Sequence, residues 1–165
     1  MTSPSSPAEP GGPAGGPAAG SADVDRALLA ALARDGRASF TDLAKDTGLS
    51  VSAVHQRVKR LEKRGVLRGY RADLDPEQVG LPLTAFVSIT PIEAAQPDDA
   101  PARLAHLSAI EACHSVAGAE SYILKVRVAS PDALEALLAE IRASANVTTR
   151  TTVVLSTFYE DRPPL

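Results

Sequence analysis

Gly48 constrains this chain more than any other residue. It separates "SFTDLAKDTG" from "SVSAVHQRVKRLEKRG", two stretches whose apolar residues recur with a helical period, and a glycine there suits the left-handed position that ends one helix and turns the chain into the next. In the first stretch Ser39 or Thr41 suits the cap, and Leu43 and Ala44 turn inward. In the second, Ser50 is placed to accept from the free amides that open the helix, and Val54, Val58 and Leu61 follow at i, i+4 and i+7. Upstream, "DVDRALLAALARDG" sets Val24, Leu28 and Leu32 with Ala27 and Ala31 on one stripe, stopped by Gly36. Alternation in "VLRGYRADLD" suggests a short strand pair. Three helices and a wing describe a winged helix-turn-helix.

The stripe of the third helix fixes what lies opposite it: Ser52, His55, Gln56, Lys59, Arg60 and Lys63 face outward. Charge gathers in this region although the whole chain carries a formal net charge of −3. Residues 23–75 hold 11 Lys and Arg against 8 Asp and Glu, whereas residues 76–165 hold 6 against 11. A charged helix face is ordinarily only a solvated one. Joined to the helix, Gly-turn, helix spacing, it points to double-stranded DNA, because that geometry sets the second helix of the pair in the major groove. Ser50, Ser52, His55 and Gln56 lie toward the N-terminal half of the helix. Ser52 and Gln56 suit base edges, while Arg57, Lys59, Arg60 and Lys63 suit phosphates. Arg57 borders the buried stripe, where its stem can pack. RNA fits less well, since no aromatic-rich sheet offers stacking platforms.

Beyond residue 81 the pattern changes. "LPLTAFVSI" alternates as a strand, "DDAPARLAHLSAI" is helical, "EACHSVAG" and "SYILKVRVAS" are strands hinged at Gly118, "PDALEALLAEIRAS" is a helix with Pro131 in its first turn, and "VTTRTTVVLSTF" is a final strand. The order β-α-β-β-α-β implies a ferredoxin-like sandwich, an antiparallel four-stranded sheet with two helices on one face. The chain is thus α+β: a winged helix-turn-helix over 22–75, a linker at 76–82 and the sandwich over 83–160. Val87, Val126, Val128, Val153 and Leu155 are expected to fill one side of the sheet, and apolar residues on the other invite a second copy, making a homodimer. Residues 1–21, nearly all Pro, Gly, Ala and Ser, are expected to form a disordered tail without the features of a secretory signal. No apolar run is long enough to span a membrane. The single cysteine, Cys113, fits a reducing cytoplasm.

From "DRALLAALARDGRASFTDLAKDTGLSVSAVHQRVKRLEKRGVLRGYRADLDPEQVG", together with "GAESYILKV" and "TTRTTVVL", the folded length of about residues 23–160 resembles the Lrp/AsnC family of transcription regulators. The resemblance implies dimers, often in higher assemblies, formed through the sandwich domain, and an amino acid effector bound between protomers near the turn before "YILKV". Carried over, it points to Gly118, Ala119, Glu120, Ser121 and Tyr122, with Thr149 and Thr151 on the last strand. Many members have an acidic residue where this chain has Ser121, and a carboxylate is the natural partner of an ammonium group. Read without the resemblance, Gly118 to Tyr122 is a hairpin turn that needs its glycine, and the threonines simply favour strands.

No enzyme is indicated, and no cofactor. Cys113 and His114 are adjacent, with His106 nearby, but neighbours on a strand point to opposite faces and no CxxC or HxxxH spacing exists, so a metal site or a Cys/His nucleophile loses to a packed cysteine and a surface histidine. GxxxxGK[ST], GxGxxG and GxSxG are all missing. Two other readings stay open at this level: an architectural DNA-coating protein without effector, and a metabolite-binding regulatory subunit whose helix-turn-helix only recruits partners.

Overall fold

The computed structural model describes residues 18–93 and 98–163, which divide into two compact units, one made of the residues up to Arg71 together with those from Asp161 on, and the other running from Ala72 to Glu160. The expected tail lies outside the described residues apart from 18–21, which open the first helix.

The first unit is α1 (Ala18–Arg34), α2 (Phe40–Thr47) and α3 (Val51–Lys63). The Ser39 hydroxyl oxygen accepts from the Asp42 amide at 3.1 Å and so settles which residue caps α2. Gly48 ends that helix in the left-handed conformation, at φ 68°. Ser50 caps α3, accepting from the Ala53 amide at 3.3 Å. Leu28, Ala31 and Leu32 of α1, Leu43 and Ala44 of α2, and Val54 and Val58 of α3 form one buried cluster. Small aliphatic side chains let the three helices approach closely, and each contributes a stripe that cannot be buried alone.

The expected wing strands do not form: residues 64–82 contain no strand. The amides of Val66 and Leu67 instead donate to the Leu61 carbonyl, at 3.0 and 3.2 Å, closing the C-terminus of α3 rather than joining a ladder. Gly69, at φ 150°, then breaks the pleat. Tyr70 is held by a hydrogen bond from its hydroxyl to Glu62 at 3.3 Å.

The second unit contains β1 (Leu83–Pro91), α4 (Ala100–Leu104), β2 (Ile110–Ser115), β3 (Tyr122–Val128), α5 (Pro131–Ala145) and β4 (Val147–Val153). The sheet order is β2-β3-β1-β4 with antiparallel neighbours throughout, as a ferredoxin-like sandwich requires. On one face Ala85, Val87 and Ile89 stand in register with Val126, Leu124 and Tyr122, and the buried cluster they form includes Leu134, Leu137 and Ile141 of α5 and Leu104 of α4. Ser130 caps α5 with Pro131 in its first turn, and Asn146, left-handed at φ 53°, passes the chain directly into β4.

Three expectations need correction. The helix read over "DDAPARLAHLSAI" shrinks to the five residues of α4, because the Leu107 amide bonds back to the Leu104 carbonyl in a tight turn. Val153 is half exposed and Leu155, beyond the end of β4, is 94% exposed, so neither fills the sheet as Val87, Val126 and Val128 do. The uncovered face is also more polar than expected. It presents Phe86 and Ile123 beside Lys125 and Arg127, and Glu111 and Glu160 each pair with both of those cations. Burial pushes the Glu111 carboxyl up, but hydrogen bonds from Lys125 and Arg127 outweigh it and hold the group below its ordinary value.

Candidate nucleic-acid interface and effector site

On α3 the packing divides the side chains cleanly. Val54, Val58 and Leu61 are buried, and at roughly 100° per residue the opposite side of the helix carries Ser52, Gln56, Lys59 and Lys63. All four are exposed. Among the described residues no hydrogen bond or ion pair engages the side chains of Gln56, Lys59 or Lys63. A basic, uncommitted helix face beginning at a capped N-terminus can present donors to base edges and cations to phosphates at once.

The other expected residues sit differently. Ser50 is spent on the cap, with its hydroxyl 3.2 Å from that of Ser52. His55 is exposed, its ring edge-on to Phe40 of α2 with centroids 5.1 Å apart. Arg57 turns toward α1: its Nη1 donates to Asp25 Oδ1 at 2.7 Å and to Ser21 Oγ at 3.1 Å. Arg60 stays half exposed, with Asp25 Oδ2 at 3.6 Å. The role of Asp25 is not visible in the local sequence pattern. Its only signal is that a cation bordering an apolar stripe needs a partner on a neighbouring helix.

In the second unit the expected effector residues cluster where β2 passes to β3. The Ser121 carbonyl accepts from the Val116 amide and its own amide donates to the Ile89 carbonyl, each at 3.1 Å, so the backbone before β3 is tied to β1. Glu120 is mostly buried and pairs with the exposed Arg150 of β4. Gly118 is exposed, its φ lies outside the left-handed region and nothing stands within 4 Å of a Cβ placed there. The turn therefore does not need a glycine, contrary to the purely structural reading. Ala119 beside it is exposed as well. Tyr122 belongs to the core: it is 5% exposed, and its hydroxyl donates to the Asp98 carboxylate, which with burial pushes the phenol up to about 12. Thr149 and Thr151 stand in register with Ile89 and Val87, and Thr149 accepts from Arg142 at 3.1 Å.

A cavity of about 160 Å³ lies elsewhere, between α4 and β2, lined by Leu104, Leu107, Ile110, Ala112, Cys113 and Leu124 among others. Cys113 is exposed rather than packed, and partial burial pushes its thiol up, away from the thiolate a nucleophile needs. Cys113 stands opposite Leu124 and His114 opposite Ile123, so the two side chains leave the sheet on different faces. Among the described residues no group of three or more His, Cys, Asp and Glu could hold a metal ion, and no helix is long and apolar enough to cross a membrane.

Comparison with known proteins agrees with this division of labour. An AsnC-type helix-turn-helix domain matches residues 23–62, and a Lrp/AsnC ligand binding domain matches residues 84–164. The chain is 61% identical over 140 residues to the HTH-type transcriptional regulator LrpA of Mycobacterium tuberculosis, covering 85% of this chain and 93% of that protein. It is 41% identical over 137 residues to the leucine-responsive regulatory protein of Haemophilus influenzae, covering 80% and 82%. Among solved structures, a feast or famine regulatory protein from M. tuberculosis complexed with L-methionine superposes with a TM-score of 0.84 at 60% identity, covering 86% of this chain and 96% of that one.

Proposed function

The chain belongs to the Lrp/AsnC family of DNA-binding transcriptional regulators, and on that premise we propose how its two units divide the work. The outer face of α3 lies in the major groove, with Ser52 and Gln56 on base edges and Lys59, Lys63 and the free side of Arg60 on phosphates. Ser50 holds the helix start, His55 flanks the contact from beside Phe40, and Arg57 serves the packing of α1 on α3. The observation that carries this reading is the burial of Val54, Val58 and Leu61, which turns Ser52 and the three uncommitted side chains of Gln56, Lys59 and Lys63 outward together.

The second unit takes a small effector with both a carboxylate and an ammonium group. The methionine bound to a relative of 60% identity supports an amino acid. Gly118, Ala119 and the amides around them suit the carboxylate, and Glu120, released from Arg150, suits the ammonium, with Ser121 as a neighbouring hydroxyl; Thr149 and Thr151 share the helix-covered face with Ile89 and Val87, opposite to Arg150, and take no part. Two copies pair through the uncovered face of the sheet around Phe86 and Ile123, so operators are imperfect palindromes with half-sites about one helical turn or a multiple apart. The working place is the cytoplasm, with the chromosome, and the role is regulation rather than catalysis.

Fluorescence anisotropy on a native promoter fragment and on random duplex tests the DNA-contacting face. Gln56→Ala is expected to cost about 1–3 kcal/mol at the preferred site only, and Lys59→Ala to weaken both duplexes alike with a salt slope smaller by about one. Equal losses on both duplexes from both variants would sink this division of roles.

A further inference from the structure

Asp25 on α1 meets both arginines of one flank of α3. Its Oδ1 accepts from Arg57 at 2.7 Å, while its Oδ2 lies 3.6 Å from Arg60 Nη2, an ion pair too long for a good hydrogen bond. The two arginines differ in what remains to them. Arg57 is 23% exposed and its Nη1 also donates to Ser21, so it is turned toward α1. Arg60 is 53% exposed and keeps its remaining donors toward solvent, beside the face that carries Gln56 and Lys63.

We propose that Asp25 is a specificity-determining residue: it holds Arg57 in place and competes with DNA phosphates for Arg60, so that non-specific duplex is bound less tightly than the cations of α3 would allow. The inference rests on α3 being the DNA-contacting helix. A phosphate held in register by base contacts approaches Arg60 closely and persistently, and readily outcompetes a carboxylate oxygen 3.6 Å away. A phosphate on random duplex has no such register, and against it Asp25 retains the guanidinium. Non-specific affinity comes almost entirely from phosphate contacts and the counterions they release, so withholding one cation acts mainly there.

The test uses the full chain and two variants. Asp25→Asn removes the charge, and Asp25→Asn with Arg57→Gln leaves an amide pair in place of the ion pair, which keeps the experiment informative if the single change unfolds the domain. Both are expected to bind random duplex about three- to eightfold more tightly at 0.1 M salt with a salt slope steeper by about one, since one phosphate contact is gained. Operator affinity should rise less, so the specific to non-specific ratio falls. Adding Arg60→Ala should abolish the gain. A mere packing role for Asp25 would lower thermal stability and leave the slope alone. An unchanged slope in a folded variant, or a gain that survives without Arg60, overturns the proposal. Lys59→Ala run in parallel separates the two levels: a flattened slope there with none of the Asp25 effects removes only this inference, whereas no effect of Lys59→Ala overturns it together with the placement of α3 on DNA.

Discussion

Replacing Gly48 by alanine isolates the conformational cost of the turn that joins α2 to α3. The residue sits at φ 68° with nothing within 4 Å of a Cβ placed on it, so no clash contributes. What remains is the left-handed backbone, which costs an L-residue about 1–2 kcal/mol. Against this, alanine narrows the unfolded ensemble and returns about 0.4–1 kcal/mol. The net loss is therefore about 1 kcal/mol, or roughly 5 °C in Tm for a domain of this size. Asparagine, which tolerates the left-handed region, should lose clearly less. Thermal unfolding followed by circular dichroism reads both variants, and Gly118→Ala is the control: outside the left-handed region and open to solvent, it should stay within about 0.5 kcal/mol of the parent. An alanine variant as stable as the parent, or an asparagine variant as costly as alanine, would refute the reasoning. At 25 °C the folded fraction stays near unity, so operator affinity should barely change, unlike the response to changes on the outer face of α3.

Calorimetric titration of L-methionine with and without operator duplex should give two different affinities, and linkage requires the duplex affinity to shift by the same factor, typically about 5–150-fold; a factor of one would mean that the effector does not act through DNA binding. Acid should weaken the sandwich unit through Glu111. Its carboxyl is held below its ordinary value of 4.5, so the stability it supplies is complete above about pH 4.5 and lost as pH falls through the lower folded-state value. Thermal scans from pH 6 to 3 should show the parent falling toward Glu111→Gln, and parallel curves would contradict this.

Local periodicity makes most of the architecture legible in the sequence. The stripe Val54, Val58 and Leu61 set the outer face of α3, and Ser130 with Pro131 set the start of α5. What stayed hidden depended on partners far along the chain or on competition for a single carbonyl. Arg57 finds Asp25 across 32 residues, which no window of sequence displays. The wing strands failed because Leu61 claims the Val66 and Leu67 amides, and alternation cannot report that. Around the effector region the identities of Glu120 and Ser121 were readable, but the closing of Arg150 onto Glu120 from another strand was not.

The separation of faces on α3 also bears on how such a regulator changes its targets over generations. Val54, Val58 and Leu61 carry the packing, while the side chains of Gln56, Lys59 and Lys63 make no hydrogen bond or ion pair among the described residues. Substitution at exposed positions without internal partners usually shifts stability by no more than about 0.5 kcal/mol. If α3 reads DNA as proposed, duplicated copies of the gene can therefore explore new binding sequences at Gln56 and new overall affinities at Lys59 and Lys63 one mutation at a time, each intermediate remaining folded and testable by selection.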